Sequence, residues 1–314
     1  MTTHFLDGEV GPRGSAPADR LHQLAGLRVR TKSRILSRWV PAALTLLIVG
    51  AIAWAFVTAP AMNWPVVGQY LFAPRILTGV ATTVLFTVLT FVLGLLIGVV
   101  LAVLRQSGNP VLVAIVEGYI WLFRGTPLLV QLVFWFNLAL VFPYLGVRVP
   151  ALGIEIGGAT NEVLTPFLAA LVGLVLHTAA YMAEVVRGGF LAVPPGQMDA
   201  AKAIGMTRLE AQRRIVIPQA VRVILPPLGN QFIDILKATA IVSVIGGGDL
   251  MTQAQQIYGQ NYQVISMLVV ASLWYLVLVT AATVGQHFIE RALDRSRSTR
   301  SVVPAATAAT AVTA

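Results

Sequence analysis

Residues Gly196 to Gln219, GQMDAAKAIGMTRLEAQRRIVIPQ, read as a soluble two-helix element, yet the stretches on either side are apolar enough to cross a membrane. Pro194-Pro195-Gly196 ends the preceding segment. Gln197 to Ile204 is rich in Ala and other good helix formers. Gly205 stands where a helix stops by placing one residue in the left-handed conformation. Thr207-Arg-Leu-Glu210 then has the spacing of a capping box, in which the threonine hydroxyl accepts from a backbone N–H and the glutamate accepts from the threonine N–H. A second helix is expected from Arg208, carrying Arg208, Arg213 and Arg214, until Pro218. Proline suits only the first turn of a helix, so the next apolar span is expected to begin there. The element is thus helix, glycine turn, helix, with Asp199-Ala200-Ala201 as a small-residue surface that another protein can approach closely. Spacing alone leaves two readings open, a docking knob and an interfacial connector. A DNA-binding helix-turn-helix is disfavoured, because the helices are short, hemmed in by apolar spans, and their basic residues suit lipid phosphate equally well.

Outward from this element the chain is a membrane protein. Of its 314 residues 57% are hydrophobic and 11% charged, against roughly 25% charged in an average soluble domain. Mean hydropathy is +0.79. The intervals from Arg75 to Arg105, Arg124 to Arg148, Glu162 to Glu184 and Asp249 to Glu290 contain no Asp, Glu, Lys or Arg, and a bilayer core needs about 20 apolar helical residues. A further apolar run follows Arg38, and Arg222 to Gly246 is a less pure span interrupted by Asp234 and Lys237. The fold class is therefore an all-α membrane protein with about six transmembrane helices, expected near 40–58, 76–104, 111–142, 164–187, 219–245 and 263–289. Residues 1–38 and 293–314 read as disordered tails, the first of them basic.

With the N-terminus placed inside, all but four of the 22 Lys and Arg fall on the cytoplasmic side, the exceptions being Arg75 and Arg148 outside and Arg124 and Lys237 within or at the edge of spans. That is the asymmetry that basic residues impose on topology. Both termini are then cytoplasmic, and the net charge of +9 suits the anionic inner leaflet without invoking nucleic acid. With no cysteine in the chain, disulfides, thiolate metal sites and cysteine nucleophiles are excluded. None of Lys32, Lys202 and Lys237 follows a glycine, so the chain has no P-loop, and it has neither a G-x-S-x-G elbow nor an H-E-x-x-H pair. No catalytic residue, metal site or cofactor is expected.

Polar residues inside spans cost free energy and usually face protein or a wet cavity. Arg124-Gly125-Thr126-Pro127 interrupts the third apolar run, where a break is expected near the proline. Just beyond it, Gln131 and Asn137 could reach a pathway or bond between helices, and Arg124 could reach headgroups. His177, Tyr181 and Glu184 share one helical face, with Thr178 beside them. His177 either lines a pathway or is a packed histidine, and Glu184 pairs most plainly with Arg187. Asn230, Asp234 and Lys237 form another polar face, in which Asp234 and Lys237 are either an ion pair or ligand contacts.

The spacing Asp199-Ala-Ala201, three residues, Gly205, nine residues, Ile215-x-Ile217-Pro218 resembles the cytoplasmic EAA motif of ABC-importer permeases, EAA-x3-G-x9-I-x-L-P, with Asp for Glu and Ile for Leu. LFRGTPLLVQL (122–132), AAYMAEVVRGG (179–189) and PPLGNQFIDILKATAIVSVIG (226–246) look like the polar amino-acid branch, the histidine, glutamine and glutamate permeases. The resemblance covers roughly 74–292 and implies a five-helix permease core with a coupling hairpin at about 194–218; the helix at 39–60 is an addition to that core. It further implies a bacterial cytoplasmic-membrane protein that forms an import pathway for polar amino acids. Its partners would be a second permease chain, identical or homologous, a dimeric cytoplasmic ATPase holding ATP and Mg, and an extracytoplasmic binding protein. Asp199, Ala200, Ala201, Gly205, Ile215, Ile217 and Pro218 would engage the ATPase. Relatives often carry Asn where His177 stands. A self-powered secondary transporter is the alternative, for which repeated halves and midplane carboxylates would be expected; a membrane-bound interaction protein without transport is a third reading. Glutamate, glutamine, arginine and histidine all remain open as cargo.

Overall fold

In a computed structural model the described residues are 34–149 and 154–298; the tail readings at 1–38 and 293–314 lie outside them except at 34–38 and 293–298, which are helical and belong to the adjoining helices. The chain divides into two compact units, Met1–Met62 and Asn63–Ala314. Among the described residues five helices are long and apolar enough to cross a membrane, and one bent pair makes a sixth crossing. The first unit contributes one of these, α1 (Arg34–Val57), whose apolar window Trp39–Val57 has a mean hydropathy of 2.3.

The second unit opens with α2 (Trp64–Leu71) and α3 (Pro74–Arg105), then α4 (Pro110–Gly125) and α5 (Leu128–Phe136). A two-stranded antiparallel hairpin follows, β1 (Tyr144–Val149) pairing with β2 (Ile154–Ala159) in the register Tyr144 to Ala159. After a single turn, α6 (Thr160–Val163), come α7 (Pro166–Leu191), α8 (Gly196–Ala203) and α9 (Arg208–Ala211). A π turn over Gln212–Val216 leads into α10 (Ile217–Ala238), a 3-10 segment Thr239–Ile245, α11 (Leu250–Asn261) and α12 (Val264–Ser298). Helix starts follow local chemistry. Proline occupies the first turn of α3, α4 and α7, while Asn109 accepts from the N–H groups of Val111 and Leu112, and Thr165 from that of Leu168.

The core is organised around α3 against α7. Gly94, Gly98 and Ala102 recur at every fourth position of α3. A side chain built at Gly98 would place its Cβ 2.7 Å from Met182 Cβ, and one at Gly94 would lie 3.0 Å from Thr178 Cγ2. Small residues at this interval let two backbones approach closely where lipid offers no hydrophobic drive. Phe86, Leu132, Leu174 and Val242 form one buried layer; Ala102, Met182, Ala220 and Ile224 form another toward the α8–α9 end.

Two expectations change and two gain detail. The all-α class stands and gains one feature, since the uncharged interval after Asn137 holds the β-hairpin, whose backbone groups pair with each other. The third crossing ends at Phe136, short of 142, and bends by 102° between Gly125 and Leu128. The last crossing, α12, lies where expected, and ahead of it the same uncharged interval holds a further helix, α11, because Gly246 (φ 69°) and Gly248 (φ 89°) turn the chain and Asp249 caps it by accepting from Met251 N at 2.9 Å. Finally, Pro218 lies in the first turn of α10, as expected, but no break precedes it. The helix runs from Arg208 to Ile245 without a break, because the wider π turn lets Ile217 N–H bond back to the Gln212 carbonyl just before the residue that has no N–H. Gln219 Nε2 also donates to the Ile215 carbonyl, at 3.0 Å.

Candidate functional site

The candidate site residues gather in two places, the α8–α9 hairpin and a cavity at the broken crossing. In the hairpin, α8 ends in a Schellman motif. Gly205, at φ 80°, donates its N–H to the Lys202 carbonyl at 2.9 Å, and Met206 N–H reaches the Ala201 carbonyl at 3.0 Å. The capping box is formed: Glu210 N–H donates to Thr207 Oγ1 at 3.3 Å, and Thr207 N–H donates to Glu210 Oε2 at 2.9 Å.

Ala201 is only 1% exposed and Ala211 is fully buried. The small residue at 201 therefore closes the hairpin internally and offers no outward surface, a correction to the three-residue docking face. Asp199 and Ala200 do face outward, Asp199 paired with Lys202 at 3.5 Å. Ile217 and Pro218 are exposed and Ile215 half-buried. What the tip presents most openly is Ile204 (76% exposed) and Leu209 (61%), either side of Gly205, ringed by exposed Arg208, Arg213 and Arg214. Sequence reasoning passed over Ile204 and Leu209, although apolar residues on an otherwise polar element were the available signal.

The cavity, about 190 Å³, lies between the start of α5, α7 and α10, and its polar lining is His177, Thr178, Tyr181, Gln231 and Asp234. His177 packs against Tyr181 with ring centroids 4.9 Å apart. It interacts with the Phe123 backbone, and its buried Nδ1 lacks a hydrogen bond of ordinary geometry. Arg124, at the break, lays its guanidinium over the Tyr181 ring, 5.1 Å from the centroid. Asp234 pairs with Lys237 at 2.8 Å while remaining exposed on the cavity side.

Other sequence candidates stand elsewhere. Gln131 serves the break itself, its Nε2 donating to the carbonyls of Phe123 (3.0 Å) and Thr126 (3.1 Å) and to Thr126 Oγ1 (2.7 Å). Of these, the Phe123 carbonyl is the one whose donor four residues on would be Pro127, which has no N–H. Asn137 Nδ2 donates to the Val133 carbonyl at 2.8 Å, at the end of α5. Asn230 accepts from Gln286 Nε2 at 3.0 Å and so faces α12. Glu184 binds Arg187, as its spacing indicated, and also Arg105. Gln231, one residue along from Asn230, is a cavity residue that sequence reasoning missed. Among the described residues no cluster of His, Cys, Asp and Glu is arranged to hold a metal.

The family described as the binding-protein-dependent transport system inner membrane component matches residues 94–295. The chain is 40% identical over 269 residues to the arginine transport system permease protein ArgU of Corynebacterium glutamicum, covering 84% of this chain and 82% of the relative. It is 35% identical to a probable amino-acid ABC transporter permease protein, PatM, of Vibrio harveyi, covering 71% of this chain and 93% of the relative. A crystal structure of an amino acid ABC transporter with histidines superposes with a TM-score of 0.61 at 34% identity, over 71% of this chain and 96% of that one. The chain therefore belongs to the binding-protein-dependent transport system inner membrane components, among the amino-acid ABC transporter permeases.

Proposed function

We propose that this permease subunit imports a cationic amino acid of the arginine class along a path lined by the cavity at the broken crossing. The hairpin tip would dock on a cytoplasmic ATPase that holds ATP and Mg. The observation that carries the cargo is that the Asp234 carboxylate and the Tyr181 ring line one cavity. That ring already accepts a guanidinium, that of Arg124, on its face, and carboxylate plus aromatic face is the arrangement that recognises a guanidinium or ammonium group. Arg124 is then positioned to exchange that contact for the carboxylate of the passing amino acid. The similarity to an arginine transport permease supports the same cargo.

The concentration of basic residues on the hairpin and near the chain ends supports a cytoplasmic hairpin, with both termini inside. A tip with two exposed apolar side chains ringed by arginines fits a protein cleft better than bulk water. A second permease chain and an extracytoplasmic binding protein complete the importer in this reading.

The test is uptake into proteoliposomes by the complex purified from native membranes, with its binding protein and internal ATP. Labelled L-arginine should enter, with excess L-lysine competing and L-glutamate not. Asp234→Asn should lower arginine uptake by about tenfold or more, the scale of one hydrogen bond to a charged group. Uptake that L-glutamate abolishes and L-arginine leaves untouched would overturn the cargo.

A further inference from the structure

Four charges meet where α3 ends. Arg105 Nη1 bonds Glu184 Oε1, while its Nη2 and Nε reach Glu117 Oε1 at 3.1 and 3.3 Å. The other oxygen of Glu184 accepts from Arg187 Nη2 at 2.7 Å and Nε at 2.9 Å. Two arginines and two glutamates cancel, so the cluster carries no net charge. It joins three helices, because Arg105 closes α3, Glu117 lies on α4, and Glu184 and Arg187 lie on α7. Arg105 (24% exposed) and Glu184 (19%) are its half-buried centre, and Glu117 (54%) its exposed rim.

The place of this cluster in the chain gives it a task. The hairpin is covalently continuous with α7 on one side and, through the unbroken helix Arg208–Ile245, with α10 on the other. Any displacement of the hairpin reaches those two helices directly. Neither α3 nor α4 has such a connection, yet α4 leads straight into the break at Thr126 and Pro127 that borders the cavity.

Beside the charges, α3, α4 and α7 share an apolar layer of Leu101, Leu104, Val116, Ile120 and Ala183. Farther out, Tyr119 on α4 donates to the Leu176 carbonyl of α7 at 2.6 Å. To that packing a forked guanidinium shared by two carboxylates adds a directional tie that sets one register across all three helices. Seven residues separate Glu184 from the end of α7 at Leu191, so the cluster is the last polar tie before the hairpin.

We propose that Arg105 and Glu184 are positioning residues for energy coupling: they clamp α3 and α4 to α7, so that hairpin movement carries the broken crossing with it. This rests on the reading of the hairpin as the ATPase docking element.

The test uses the complex purified whole through a tag on this chain and reconstituted with its binding protein, with L-arginine as probe. In Arg105→Gln and in Glu184→Gln, arginine transported per ATP hydrolysed should fall about tenfold, within the usual range of coupling between sites. The ATPase should still co-purify and hydrolyse. The double variant should fall no further than either single, because both break one link. A merely structural role would instead lower assembly, hydrolysis and uptake together. That result, an unchanged ratio, or losses that multiply in the double variant would each overturn the clamp.

A second readout needs no cargo. The chain has no cysteine, so Ser107→Cys and Leu191→Cys give it two labelling sites, and one doubly labelled copy assembled with partner subunits free of reactive cysteine reports the distance between the ends of α3 and α7. That distance should stay constant when ATP binds to the complex and should change on ATP binding once Glu184→Gln is introduced. A variant that behaves as the parent overturns the clamp by itself. A wild-type preparation without any ATPase overturns the docking reading and the coupling role with it, whereas failure of arginine uptake alone leaves the distance result to decide.

Discussion

Adding one methyl group at Gly98 should force α3 and α7 apart, and the cost can be worked from the contact. The new Cβ would stand 2.7 Å from Met182 Cβ and 3.0 Å from Ala183 N, whereas carbon atoms settle at about 3.5–4.0 Å. The helices must therefore separate by roughly 1 Å at this point, and overpacking of that kind costs about 1–3 kcal/mol. Alanine also favours a helix over glycine by about 1 kcal/mol, so the single variant mixes two effects of opposite sign. Gly118, in mid α4, has nothing within 4 Å of where an added methyl group would lie, and Gly118→Ala isolates the helix preference. The quantity to measure is the stability difference between Gly98→Ala and Gly118→Ala, by thermal unfolding of the purified chain in one detergent. Gly98→Ala should be the less stable by about 1–3 kcal/mol, with Gly118→Ala at or above the parent. Equal stability of the two variants would refute the close packing of α3 on α7.

Three further outcomes follow from single contacts. Gly205→Ala should destabilise the hairpin by about 1–2 kcal/mol through its φ of 80°, not through crowding, seen as faster amide exchange at Met206. Gln131→Leu leaves two carbonyls and a hydroxyl at the break without their donor, and should cost about 1–3 kcal/mol in thermal stability. Asp249 is fully buried, and burial pushes its carboxyl above the usual range, against the lowering by hydrogen bonds from Thr252 and Met251. A raised native value means stability is fully present below the unfolded carboxylate range and is lost as pH rises through the native value. Asp249→Asn keeps an acceptor for the cap and removes that titration, so its stability relative to the parent should rise with pH. A difference that is flat with pH, or that shrinks as pH rises, would contradict this account of Asp249.

The parts of the molecule written in local chemistry were legible in the sequence alone. Thr207 and Glu210 name their own capping box, Gly205 its own left-handed turn, and Pro127 its own break, because each depends on residues within four positions. The i, i+3 pairs Glu184 with Arg187 and Asp234 with Lys237 were readable for the same reason. What escaped depends on the chain folding back on itself. Arg105 meets Glu184 from 79 positions away, and no pattern in either segment announces it. Ala201 reads as a small surface residue until Ala211 is seen to be buried with it in the same hairpin. The Gly94, Gly98, Ala102 interval was a visible signal whose partner, Met182, only the packing reveals. Charge counting also gave no sign of α11, because its glutamines are polar without being ionised.

The most direct test of the central claim is whether the hairpin tip holds an ATPase. The chain, tagged and extracted gently from native membranes, is compared with an Ile204→Glu/Leu209→Glu variant. Both positions are exposed, so the substitutions alter the tip without disturbing the buried Ala201 and Ala211. The account predicts that an ATPase bearing a P-loop co-purifies with the parent and that the variant loses it while its thermal stability is kept. An ATPase retained in full by the variant, or absent from the parent under conditions that preserve a known ABC complex, would contradict it.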